Sequence, residues 1–204
     1  LELKQEVALM LGGMDIYPTS KIGEIGEVVS SFYKNFDNET YNRLLKKFEL
    51  DKNKKFKELS NGMKSKFLLT LAMSHKAKLL ILDEPTSGLD PYSRDQLLEE
   101  FQNYIQDGER SILFSTQIVS DLESIADYIG YIKEGKIIDF ATKDDFVSSY
   151  KIFSTKKEIG EHIDPSILVG IRESSVSFEG LIRSKDASKL PEGIELSEPS
   201  IEEI

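Results

Sequence analysis

Two carboxylates follow directly on an apolar run in Leu79–Asp90, which reads LLILDEPTSGLD. A buried parallel strand delivers its last side chains to the carboxyl edge of its sheet, where α/β proteins place ligands. An Asp there, Asp83, can hold Mg2+ directly or through water, because that ion prefers carboxylate and water oxygens. Glu84 beside it can polarise a water for attack on a γ-phosphate. Upstream, Ser60-Asn61-Gly62 opens a helical pattern. Backbone N–H groups and the dipole at such a start favour an anion. Taken singly, an acidic pair after a strand and a Ser N-cap are both common. Their conjunction with Ser87-Gly88-Leu89-Asp90 is what points to phosphate and magnesium.

These residues need a scaffold, and the pattern of apolar positions supplies one. Ile22, Ile25, Val28, Val29, Phe32 and Tyr33 recur at helical spacing within 19–36. A second helix is expected after Asn38 as N-cap, with Tyr41, Leu44, Leu45 and Phe48 on one face. Lys52–Lys57 reads as a solvated basic loop, and a third helix runs from about Met63 to His75. Strand and helix then alternate. Leu79–Leu82 and Ser111–Ser115 read as strands covered on both faces. Asp90-Pro91 starts a helix that ends near Gly108, and 118–126 is another helix. Tyr128–Ala141 reads as a hairpin turning at Glu134-Gly135, closed by a short helix over 143–150. Beyond Lys151 short apolar clusters, with strands expected at 167–171 and 175–182, indicate a small α+β appendage.

The bulk properties exclude several classes. A chain of 204 residues can hold one medium domain, or one domain plus an appendage. With 36 acidic against 26 basic residues and a net charge of −10, a general nucleic-acid surface is not expected. There is no cysteine, so thiolate metal sites and disulfides are excluded, and His75 and His162 are too few for a multi-histidine metal site. No run approaches the roughly 18 apolar residues of a membrane span. The opening LELKQEVALML reads as the middle of a domain rather than its start.

Three motifs together carry a family resemblance. Leu59-Ser60-Asn61-Gly62-Met63 resembles the Leu-Ser-Gly-Gly-Gln signature of ABC transporter nucleotide-binding subunits. Leu79–Glu84 resembles their Walker B strand, Ser87–Asp90 their D-loop, and Ser115-Thr116-Gln117 their switch region. The resemblance runs over residues 7–150 and is strongest in Asp83–Asp90. Phe-Glu-Leu before the signature and the Pro-Ser-Ile-Glu-Glu-Ile ending are similar to bacterial exporters of antibiotics and peptides. It implies an α/β fold: a P-loop NTPase-like ABC ATPase core, incomplete, with a helical subdomain and a small C-terminal α+β appendage. The implied divisions are a core remnant at 1–18, the helical subdomain at 19–76, a RecA-like core at 77–150 and the appendage at 151–204.

In such a family two subunits meet head to tail, each ATP lying between the phosphate loop of one and the signature of the other. By that resemblance Ser60, Asn61, Gly62 and Met63 would bind the partner's ATP, with Ser60 and Gly62 on its γ-phosphate. Asp83 would help hold Mg2+, Glu84 would activate water, and Asp90 would tie the two sites together. Gln117 stands where the switch histidine is usual; it can hydrogen-bond a γ-phosphate but cannot shuttle a proton. No G-x-x-x-x-G-K-[ST] occurs in the sequence, which is read as missing N-terminal sequence, and the chain alone is expected neither to bind ATP tightly nor to hydrolyse it. Leu9–Met14, where a Q-loop Gln or Glu is usual, has neither.

The expected protein is the ATPase subunit, homo- or heterodimeric, of an exporter with a separate polytopic membrane permease, peripheral on the inner face of the cell membrane. The alternative is a catalytically weak or regulatory partner in a heterodimeric transporter, motivated by Gln117. A soluble ABC ATPase of translation or DNA repair fits less well, because neither a second cassette nor a long coiled coil is present.

Overall fold

A computed structural model of the chain describes residues 3–11, 16–174 and 176–204. Part of the Q-loop position, 12–14, therefore lies outside the described residues. The chain divides into two compact units, 1–117 and 118–204.

In the first unit a short helix, α1 (Leu3–Glu6), leads into β1 (Val7–Met10). β1 pairs in parallel with β2 (Leu79–Asp83), which pairs in parallel with β3 (Ser111–Ser115), giving the order β1-β2-β3. Three helices separate β1 from β2: α2 (Ile22–Phe32), α3 (Asn38–Lys47) and α4 (Asn61–Ser74). A fourth, α5 (Pro91–Ile105), joins β2 to β3. Both crossovers step the same way across the sheet, and right-handed connections then place their helices on one face. Ala8, Met10, Leu80 and Leu82 alternate into that face and are buried. Leu9 and Leu113, in the row with Ile81, are 52% and 61% exposed. The expectation of strands covered on both faces is thus corrected: the pattern is alternating, not continuous.

The helical part is held to α5 by charge. Arg43 of α3 donates to both carboxylate oxygens of Glu100, at 2.8 and 2.7 Å, and Lys47 donates to the same carboxylate at 2.8 Å. Burial of the Glu100 carboxyl acts to raise its pKa, but these hydrogen bonds win and hold it below the usual glutamate range. Asp37, not Asn38, is the N-cap of α3: its Oδ1 accepts from the N–H groups of Glu39 and Thr40 at 2.9 and 3.2 Å. Either residue type caps well, so the order of the two could not be read from type alone.

The second unit begins with α6 (Val119–Ile125) and the antiparallel hairpin β4 (Tyr128–Lys133) and β5 (Lys136–Thr142). Glu134 and Gly135 both take positive φ at the turn, 51° and 74°. That backbone twist matches the flanking strands. α7 (Lys143–Ser148) follows, then β6 (Tyr150–Lys156), α8 (Lys157–Gly160), β7 (Leu168–Glu173), β8 (Ser177–Arg183) and β9 (Leu196–Ser197). These strands form an antiparallel sheet in the order β7-β8-β6-β9. Phe153, Ile163, Ile167, Phe178 and Ile182 make one core cluster; Ile129, Phe146, Tyr150 and Leu181 make another. The sequence suggests a boundary at Lys151, whereas the compact units divide between Gln117 and Ile118.

Candidate active site

The sheet of the first unit ends where the chemistry was expected. The register sets Asp83, the last residue of β2, beside Ser115, the last of β3. Ser115 Oγ donates to Asp83 Oδ1 at 2.6 Å, and the Glu84 N–H is directed at both Ser115 O, 3.1 Å, and Ser115 Oγ, 3.2 Å. One serine on the neighbouring strand thus fixes both acidic positions. The sequence resemblance puts Ser115 in the switch region but does not give it this task. The signal that could have found it is a hydroxyl at the end of the next parallel strand.

Glu84 has φ 48°, in the left-handed region that a residue with a Cβ enters only at a cost. The conformation is held by its bonds to Ser115 and by a turn in which the Ser87 N–H donates to Glu84 O at 3.1 Å. It turns the chain off the strand so that the carboxylate stands at the sheet edge, half exposed beside the exposed Asp83. The Gln117 N–H lies 3.4 Å from Glu84 Oε2, a long contact. Asp83, Glu84, Ser115 and Gln117 are thereby gathered in one place.

Ser60, Asn61, Gly62, Met63 and Asp90 form a second grouping. Ser60 caps α4, its Oγ accepting from the Met63 N–H at 3.2 Å. Asn61 and Gly62 occupy the first turn, where an α-helix has no carbonyl of its own to satisfy the N–H groups. Asn61 is the first residue of the helix and is not among the positive-φ residues. A Cβ on Gly62 would lie 3.2 Å from Gly88 O and 3.2 Å from Leu89 Cδ2, so the turn rests on the loop before α5. Asp90 caps α5: Oδ1 accepts from the Ser93 N–H at 3.0 Å and Oδ2 from Ser93 Oγ at 2.5 Å. The bonds from the Ser93 side chain and then its backbone hold the Asp90 carboxyl below the usual aspartate range.

The edge fits a hydrated magnesium ion better than a protein-caged metal. Among the described residues no group of three or more His, Asp or Glu side chains could hold a metal ion. Mg2+ commonly takes one or two carboxylates and fills its remaining positions with water and substrate phosphate. Asp83 oriented by Ser115, with Glu84 next to it, is suited to that. Among the described residues no helix is long and apolar enough to cross a membrane.

Comparison with known proteins gives the family and relatives of the chain. The family model described as "AAA domain, putative AbiEii toxin, Type IV TA system" matches residues 15–120. The chain is 25% identical over 175 residues to the ABC transporter ATP-binding protein YtrB of Bacillus subtilis (strain 168), covering 86% of this chain and 58% of the relative. It is 44% identical over 82 residues to the lantibiotic transport ATP-binding protein SrtF of Streptococcus pyogenes, covering 40% and 35%. With the bacitracin transport ATP-binding protein BcrA of Enterococcus faecalis it shares 35% over 89 residues, covering 44% and 29%. Among solved structures, the ATP-binding subunit of an ABC transporter superposes with a TM-score of 0.63 at 26% identity, over 70% of this chain and 61% of the other. The chain therefore spans little more than half of YtrB and about a third of the other two relatives. The fold is α/β, that of an ABC ATPase domain of the P-loop NTPase type.

Proposed function

Because the chain belongs to the AAA-domain family, as a relative of ABC transporter ATP-binding proteins, we propose that it is part of the ATP-hydrolysing subunit of an exporter. The observation that supports this most is the Ser115 clamp on Asp83 and Glu84 at the carboxyl edge of β2. Asp83 would hold Mg2+, which when bound would neutralise charge on the phosphate oxygens. Glu84, standing off the strand end, would orient and deprotonate the attacking water. Gln117 would hydrogen-bond the γ-phosphate. Ser60, Asn61, Gly62 and Met63 would bind ATP held by a second subunit, with the first-turn N–H groups of Asn61 and Gly62 turned to it and the Met63 N–H kept by Ser60, and Asp90 would face the same interface.

In this reading residues 19–76 form the helical subdomain and 77–150 carry the core motifs, with 1–18 a core remnant and 151–204 an appendage. A second ATPase subunit and a separate polytopic permease complete the machine, on the inner face of the membrane. The names of SrtF and BcrA, ATP-binding proteins of lantibiotic transport and of bacitracin transport, support an antibiotic- or peptide-exporting branch. A second reading, a catalytically weak or regulatory subunit, is favoured by one observation: position 117, whose backbone N–H lies 3.4 Å from Glu84 Oε2, carries Gln rather than a proton-carrying histidine. Purification of the full-length protein from membranes tests the proposal. Co-purification with a polytopic membrane protein that raises its ATP turnover is expected; association with ribosomes or DNA instead would contradict it.

A further inference from the structure

Lys66 belongs to neither grouping by sequence, yet it links two of their parts. It lies half-buried on α4, and its Nζ donates to Ser93 Oγ at 2.6 Å, across to α5. Ser93 is buried, and its own hydroxyl proton goes to Asp90 Oδ2. The chain of donors has one direction: ammonium to hydroxyl, hydroxyl to carboxylate. A lysine can only donate, so it orients the Ser93 hydroxyl as a donor toward Asp90. Nearby, Gly62 packs on Gly88 O and Leu89, which precede Asp90.

We propose that Lys66 is a positioning residue that, through Ser93, sets the Asp90 carboxylate and fastens the start of α5 to the start of α4. The turn Ser60–Met63 and the loop 87–90 would then be offered to the partner as one rigid surface. Two helix starts linked by a directional bond cannot shift independently without breaking it. The functional half of this inference rests on the reading of both motifs as interface elements; the mechanical half does not.

Amide hydrogen exchange on the 204-residue chain tests it, with thermal melts to confirm that each variant folds. Lys66→Met keeps the aliphatic stem and the helix but removes the donor. It is expected to speed exchange about tenfold at both the Ser93 and Met63 amides, with Lys66→Arg restoring protection. Ser93→Ala is expected to give the same effect at Met63, and adding Lys66→Met to it no more. Unchanged exchange at Met63 and Ser93 in a folded Lys66→Met protein, or additive effects in the double variant, would overturn the proposal. In the full-length protein Lys66→Met is expected to lower kcat for ATP about tenfold, with Lys66→Arg restoring the rate. Failure of the exchange result alongside a turnover that depends on Glu84 would remove only this inference. The converse would remove the ATPase reading and the functional half that rests on it, leaving the mechanical half standing.

Discussion

Ser115 Oγ sits 2.6 Å from Asp83 Oδ1, one hydroxyl on β3 aimed across the ladder at the carboxylate that ends β2. The same oxygen lies 3.2 Å from the Glu84 N. Second-sphere hydrogen bonds of this kind orient a metal-binding carboxylate, and their loss commonly costs ten- to hundredfold in affinity or activity. Ser115→Ala in the full-length protein is accordingly expected to lower ATP turnover about tenfold and to raise the Mg2+ concentration needed for half-maximal rate. Ser115→Thr, which keeps the hydroxyl, should restore both. A magnesium titration of initial rates checks this, and identical curves for native and Ser115→Ala protein would refute it.

The left-handed backbone of Glu84 leads to a prediction about stability rather than rate. A residue with a Cβ in that region costs on the order of 1 kcal/mol that glycine avoids, although glycine also loses more chain entropy on folding. Glu84→Gly is therefore expected to leave chemical-denaturation stability unchanged or raised by up to about 1 kcal/mol. Loss of more than that on denaturant unfolding would show that the Glu84 side chain, and not function, maintains the conformation.

His75 supplies a pH dependence. It is buried at the C-terminus of α4, its ring 3.6 Å from that of Tyr33, and its Nε2 has no hydrogen-bond partner among the described residues. Burial pushes its pKa below the ordinary value of 6.5, outweighing a bond to the Gln5 backbone and the nearby Glu6 carboxylate, both of which act to raise it. The unfolded chain therefore takes up the proton at a higher pH than the folded one. The neutral ring's contribution is complete above about pH 6.5 and is lost as the pH falls below that value toward the depressed folded pKa. Thermal melts should show the first unit losing stability between about pH 7 and 5, and His75→Phe should flatten that part of the profile. Parallel profiles for the two proteins would count against it.

Gln117 separates the two functional readings. If the missing proton carrier limits the reaction, Gln117→His should raise kcat about tenfold and introduce a pH limb near the imidazole pKa of roughly 6.5. A rate profile from pH 5.5 to 8.5 reads both effects. No change in either would mean that Gln117 performs the positioning unaided and would weigh against the catalytically weak reading.

What could be read beforehand was what local sequence determines. Ser60 and Asp90 announce α4 and α5 because caps act over three residues, and Glu134-Gly135 announces its hairpin because both positions need positive φ. β1 was not anticipated, since four residues following Gln5-Glu6 carry too little pattern to stand out. β6 was hidden for a different reason: Tyr150–Lys156 mixes Lys, Ser and Thr with its apolar residues and pairs with strands far along the chain. The positions of Asp83, Glu84 and Asp90 came from the motif, but the task of Ser115 did not. It depends on the register of two parallel strands, which no stretch of either strand encodes alone. The strain at Glu84 was equally invisible, because the forces that impose it come from Ser115 and from the turn to Ser87.

ATP turnover by the full-length protein with Mg2+, compared between native and Glu84→Gln, tests the central assignment most directly. Glutamine keeps the size and one acceptor oxygen of the side chain but cannot take the proton from water. We expect a measurable native rate that falls at least a hundredfold in Glu84→Gln, with ATP binding retained. A rate unaltered by the substitution would contradict the placement of the catalytic base at the end of β2.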